Sequence, residues 1–163
     1  MSNYDWSRFT VKQVVHAPDS QIHKLLSTPS GLETWFLRSA ILKDPNGNVR
    51  LGHEAIQAMD RYVWQWHGYP DRVSEQGEFL TPEKDEIIRF KFGSAGIVHI
   101  RILHEHAETI IELQQTDIPI HEEAKVNWHL GCKTGWTFYL LNLKSVLEGG
   151  RDLRNKNQAL NLD

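Results

Sequence analysis

The chain holds nine histidines and one cysteine, and neither set falls into a reactive spacing. His121-Glu122-Glu123 begins like the HExxH helix of zinc peptidases, where two histidines one turn apart face a single metal. Position 125 is Lys125, so the second ligand is missing. His104 and His106 flank Glu105, with His99 upstream. On a strand the pair would share a face, but the segment reads as a solvated turn. No metal site is expected. Cys132 sits in a helical apolar stripe, where a lone cysteine is a small buried hydrophobe. A reactive thiol needs a cation beside it, and Lys133 points to a different face. No GxSxG elbow occurs. "GCKTG" carries Lys-Thr among glycines but lacks the phosphate-loop spacing and lies inside a helix.

The remaining chemical resource is aromatic. Trp35 and Phe36, then Tyr62, Trp64 and Trp66, then Trp128 and Trp136 come from three separate segments. Rings of this size fill a core or wall a pocket. The polar candidates are His53, Asp60, Arg61, His99, Arg101 and His129. Alternation puts His99 and Arg101 on the same strand face as Ile97 and Leu103. Facing inward, they would orient a ligand's carboxylate or carbonyl; facing outward, they are surface residues. Asp60 and Arg61 read either as pocket groups or as a turn with a surface ion pair worth little.

These residues are positioned by a simple order of elements. "RFTVKQVVH" alternates as a strand. "APDSQIHKLLS" and "TPSGLETWF" follow as two short amphipathic helices, with Thr28 or Ser30 as a cap for the second. "LRSAIL" ends in the turn-rich "KDPNGN". "VRLGHEAIQAMD" is either a bulged strand or an irregular crossing. "RYVWQWHG" puts Tyr62, Trp64 and Trp66 on one face. "VSEQGEFLTP", "EIIRFKFG", "GIVHIRILHE" and "ETIIELQQTD" are further strands, with Ile88, Phe90 and Phe92 sharing a face. In the closing segment, Trp128, Cys132, Trp136, Tyr139, Leu140, Leu143, Val146 and Leu147 form a helical stripe that Gly149-Gly150 ends. Gly131 and Gly135 weaken that helix, and a bend is expected there. Short connections make the strands antiparallel, and a long antiparallel sheet curls. The fold class is therefore α+β: a curved antiparallel sheet of six to seven strands around a long C-terminal helix.

The 163 residues fit one domain over 1–163, with a polar tail from about residue 155. The net charge of −3 argues against nucleic acid as the main partner. One cysteine allows no intrachain disulfide. No apolar run is long enough for a signal peptide or membrane span, so no membrane insertion is expected and the cytoplasm is the expected location.

The order of elements resembles the helix-grip fold of the START-like (SRPBCC) superfamily. Three stretches resemble one branch, the homologues of the activator of heat-shock-protein-90 ATPase: "HAPDSQIHKLLSTPSGLETWF", "DRYVWQWHGYPDRVSEQGEFLTPEKDEIIRFKFG" and "GWTFYLLNLKSVLEGG". The resemblance implies a cavity between sheet and C-terminal helix that binds a small, mostly hydrophobic molecule, lipid or polyketide-like, with no cofactor. The expected ligand-binding residues are Trp35, Phe36, Tyr62, Trp64, Trp66, His99, Arg101, Trp128, Cys132 and Trp136. Two other functions are compatible with it. One is a cyclase or hydrolase in the same cavity with a histidine base. The other is a chaperone-activator-like module whose charged sheet face grips a chaperone or ATPase. The cochaperone that names the branch uses a second domain for that grip, and this length has room for one.

Overall fold

A computed structural model describes residues 3–160 and 162. Strand β1 (Phe9–Val15) is followed by helices α1 (Asp19–Ser27) and α2 (Pro29–Trp35). Six strands come next: β2 (Ser39–Lys43), β3 (Arg61–Gln65), β4 (Ser74–Leu80), β5 (Glu86–Lys91), β6 (Ile97–Glu105) and β7 (Glu108–Thr116). A helical turn α3 (Glu122–Ala124), a π-helical stretch (Lys125–Leu130) and α4 (Gly131–Leu147) close the chain. The strands form one antiparallel sheet in the order β1-β7-β6-β5-β4-β3-β2. This is the α+β helix-grip architecture expected from the order of elements.

Alternation decides the two faces. Tyr62 and Trp64 on β3, Ile88 and Phe90 on β5, Val98 and Ile100 on β6, and Ile111 and Leu113 on β7 are buried. They pack against Trp136, Leu140 and Leu143 of α4. Trp35 and Trp64 are about as buried as side chains can be, at 1% and 0% exposed. The hollow of the sheet is therefore largely filled by rings. Tyr62 and Trp64 stack with centroids 3.7 Å apart, and Phe36 stacks on Trp35 at 5.3 Å.

The sheet is weakest between β4 and β5, which pair only at Phe79–Phe90 and Leu80–Arg89. Tyr62 closes that gap. Its ring occupies the space a side chain at Gly77 would need, and its hydroxyl donates to the Lys91 carbonyl at 2.5 Å.

The segment after β2 is a crossing loop rather than a strand, with one bridge between Lys43 and Val49. Its anchor is a buried ion pair. Arg50 reaches Asp60 with two bonds of 2.9 Å, and the Gln57 amide donates to the same carboxylate at 2.9 Å. Asp60 is thus neither a pocket group nor a surface partner of Arg61, which is exposed. His53 is exposed on the same loop.

The helical irregularity lies one turn earlier than the glycines suggest. Gly131 has ordinary α-helical angles, and the π-helical turns precede it. That stretch carries His129, which is fully buried. His129 Nδ1 donates to the Trp6 carbonyl at 2.9 Å, so its Nε2 accepts from the Tyr4 hydroxyl at 2.9 Å. His129 ties the N-terminal segment to the closing helix. At the other end Gly149 takes φ 78°, a left-handed helix terminus that favours glycine.

A second clasp lies beyond α4. A seven-residue helix such as α2 leaves its last carbonyls without helical partners. Arg154 supplies them: Nη2 donates to the Glu33 and Thr34 carbonyls at 3.0 and 2.9 Å, and Nη1 to Leu37 at 3.0 Å. Asn142, fully buried on α4, donates to the Trp35 carbonyl at 2.8 Å. Asp152 binds both Arg154, at 2.7 and 2.9 Å, and Asn142, at 3.1 Å. The tail is therefore anchored up to Arg154, and most of the described residues beyond it are exposed.

Candidate functional site

An open apolar cleft of about 220 Å³ lies where the first half of α4 meets the loop between β3 and β4. Phe36 follows the clasped end of α2 and forms one wall. Trp66 just past β3, Phe92 just past β5, and Tyr69 and Val73 in the loop form the opposite side. From above, Asn127, Gly131, Cys132, Gly135, Trp136 and Tyr139 complete it. The rings are contiguous. Phe36 lies 4.8 Å from Trp136, 5.0 Å from Tyr139 and 5.9 Å from Trp66, and Phe92 lies 5.5 Å from Trp136.

Gly135 explains why the cleft is open. A Cβ there would meet no atom within 4 Å. The residue is in mid-helix, where glycine costs about 1 kcal/mol relative to alanine, so the bare surface has a cost in stability.

Polar groups near the cleft are few. Gln115, fully buried on the inner face of β7, donates to the Ala95 carbonyl at 2.7 Å and accepts from Trp136 Nε1 at 2.9 Å. It fixes the plane of the Trp136 indole. Burial pushes the Cys132 thiol above its ordinary pKa, and the negative charge of Glu75 acts in the same direction, against a bond from Gln115. A thiol held in this way is protonated at neutral pH and is a poor nucleophile.

Of the residues expected from the sequence, the structure brings Phe36, Trp66, Cys132 and Trp136 together. Trp35, Tyr62 and Trp64 do not reach the cleft; they are core. Trp128 stands half-buried on the π-helical stretch beside the His121 ring at 5.8 Å, also outside the lining. His99 and Arg101 require correction. They lie on the outer face, because β6 turns Val98 and Ile100 inward and strand side chains alternate. His99 is held between Glu86 at 2.8 Å and Thr116 at 2.9 Å. Arg101 joins Lys12 on the nearly buried carboxylate of Glu112.

Sequence reasoning missed Tyr69, Val73, Phe92, Asn127, Gly135 and Tyr139 as lining. Phe92 and Tyr139 carried a signal, since each shares a face with core residues. Tyr69 and Val73 lie in a loop, where no periodicity marks direction. Among the described residues no cluster of three or more histidine, cysteine, aspartate or glutamate side chains could hold a metal. No helix among them is long and apolar enough to cross a membrane.

The outer face carries a larger groove, about 820 Å³, over β2 to β5 near the Gly77 gap. Lys43, Arg61, Glu78 and Lys91 stand in it beside Ile41, Met59 and Val63, which are exposed.

No family model matches the chain, and no curated protein matches it in sequence. Solved structures do match. A protein from Staphylococcus saprophyticus superimposes with a TM-score of 0.66 at 18% identity, over 91% of this chain and 96% of that one. A Mesorhizobium loti protein gives 0.65 at 14% identity, over 88% and 98%. The Aha1 dimer from Colwellia psychrerythraea gives 0.63 at 12% identity, over 88% and 98%. At such identities the likeness shows the fold alone: this chain has the helix-grip architecture that its resemblance to the START-like superfamily implies, and shares it with the Colwellia Aha1 protein.

Proposed function

We propose that the protein binds a small, mostly apolar molecule in the cleft between α4 and the β3–β4 loop. The observation that carries this reading is the open surface at Gly135 within a ring of six aromatic side chains. Binding would remove apolar area from water at about 25 cal/mol per Å² before ordering costs. A cleft of about 220 Å³ is small beside ordinary ligand pockets of roughly 300–1,000 Å³. It suits one ring or a short branched group, or the end of a longer lipid or polyketide-like chain. A catalytic role with a histidine base has less support, since no histidine is among the lining residues.

The test uses fluorobenzene, followed by the broadening of its fluorine resonance. The wild-type protein should broaden it. Gly135→Leu fills the open space, keeps the helix and should weaken binding at least tenfold. Gly135→Ala should raise stability by about 1 kcal/mol, read by denaturant unfolding. An unaffected resonance with the wild-type protein would refute the reading.

A second reading is protein binding through the outer groove, favoured by its exposed Ile41, Met59 and Val63. The Colwellia Aha1 structure is a dimer, so a second copy is the first partner to test. Sedimentation should show concentration-dependent association that Val63→Glu removes. A monomer at every concentration would argue against it.

A further inference from the structure

Asn127 reaches the cleft because the closing helix is not uniform. An α-helix turns about 100° per residue, so a residue eight positions before Gly135 would stand about 80° off its line. The π-helical stretch Lys125–Leu130 intervenes, closed by the Gly131 amide donating to the Val126 carbonyl. Its wider turns hold more residues each and swing Asn127 back. Asn127, Gly131 and Gly135 therefore line the cleft together. Asn142, further along the same helix, has its amide engaged by the Trp35 carbonyl and Asp152. Asn127 is exposed, and among the described residues its amide has no hydrogen-bond partner. A side-chain amide both donates and accepts.

The lining contains no lysine, arginine, histidine, aspartate or glutamate. An ionised ligand group that left water here would meet no counter-charge, and desolvating an unpaired charge is far costlier than desolvating a hydroxyl. A hydroxyl or carbonyl gives up less water and recovers a hydrogen bond at Asn127. Size narrows the class further. An apolar cavity of roughly 150 Å³ holds one benzene ring. The cleft, at about 220 Å³, has room beyond such a ring for about two further heavy atoms.

Resting on the cleft as the binding site, we infer that its ligand is an uncharged ring compound with a short hydroxyl or carbonyl arm, the ring on the open surface at Gly135 and the arm bonded to Asn127. The closing experiment titrates fluorobenzene, 4-fluorobenzyl alcohol, 4-fluorobenzoate and 4-fluorobenzylammonium by fluorine NMR, at neutral pH and constant ionic strength. The alcohol should bind the wild-type protein about fivefold tighter than fluorobenzene, the size of one hydrogen bond. Each ion should bind roughly fivefold or more weakly than the alcohol. Asn127→Ala should bring the alcohol down to the affinity of fluorobenzene, with fluorobenzene binding and the far-ultraviolet dichroism unchanged. Asn127→Asp supplies a counter-charge and should raise the affinity of the ammonium while lowering that of the benzoate. Equal affinities of alcohol and fluorobenzene, an ion that binds as tightly as the alcohol, or an alcohol preference that survives Asn127→Ala would overturn the inference and leave the apolar cleft standing. Failure of fluorobenzene and the alcohol alike would overturn the cleft itself.

Discussion

Arg154→Ala should cost about 3–5 kcal/mol of stability, the size expected when one partner of a buried charged network is removed. The side chain lies after α4, yet it satisfies carbonyls from α2 and its exit and holds Asp152 beside Asn142. Its loss strands three carbonyls and a carboxylate at once. Arg154→Lys should recover little, because one ammonium cannot span the fork that reaches Glu33, Thr34 and Leu37 together. Urea unfolding would read both variants. Phe36 caps the same end of α2, so the surviving folded fraction should also bind fluorobenzene more weakly.

The clasp has an acid limb. Hydrogen bonds from Arg154 hold the Asp152 carboxyl far below the usual carboxylate range, with further bonds from Lys156 and against a burial penalty. A depressed folded pKa means the contribution is complete above the unfolded value of about 3.9 and is lost as pH falls below it. Wild-type stability should therefore drop from about pH 4 downward. Asp152→Asn should be less stable at neutral pH and should show a shallower acid limb. An identical limb in both proteins would remove Asp152 from the account.

Trp64→Ala should cost about 3–5 kcal/mol, as expected for a large ring deleted from a packed core. Trp64 is fully buried among Tyr62, Phe36, Phe79 and Phe90. Its Nε1 has no hydrogen-bond partner, so Trp64→Phe should cost only the lost volume. Trp136→Phe should cost more than its volume, because it also leaves Gln115 Oε1 without its donor. Trp66→Ala should behave in the opposite way to Trp64→Ala. Trp66 is half-exposed at the cleft, so its loss should spare stability and abolish most fluorobenzene binding. Thermal unfolding and the fluorine resonance, measured on the same four variants, separate core from site.

That separation marks the limit of what sequence patterns carry. Tyr62, Trp64 and Trp66 alternate perfectly and share the inner face, as their spacing predicts. Alternation cannot say that the sheet closes over the first two and leaves the third at its mouth. The same rule set His99 and Arg101 on one face of β6, but only the packing of Val98 and Ile100 against α4 told which face was outward. Asp60 looked like a partner for its neighbour Arg61, yet its partner is Arg50, ten residues away across a loop without periodicity.

By itself, then, the sequence determined the order of elements, the antiparallel connections, which residues share a face of each strand and the apolar stripe of the closing helix. It also excluded a zincin motif, a nucleophile elbow and a phosphate loop. These properties are local, set by side-chain periods of 2 and about 3.6 and by turn chemistry. Only the tertiary structure decided which rings fill the hollow and which line an opening, and how Arg154 and Asn142 complete a helix far away in sequence. Those outcomes depend on contacts between residues 29 to 120 positions apart. No period in a single segment encodes such distances.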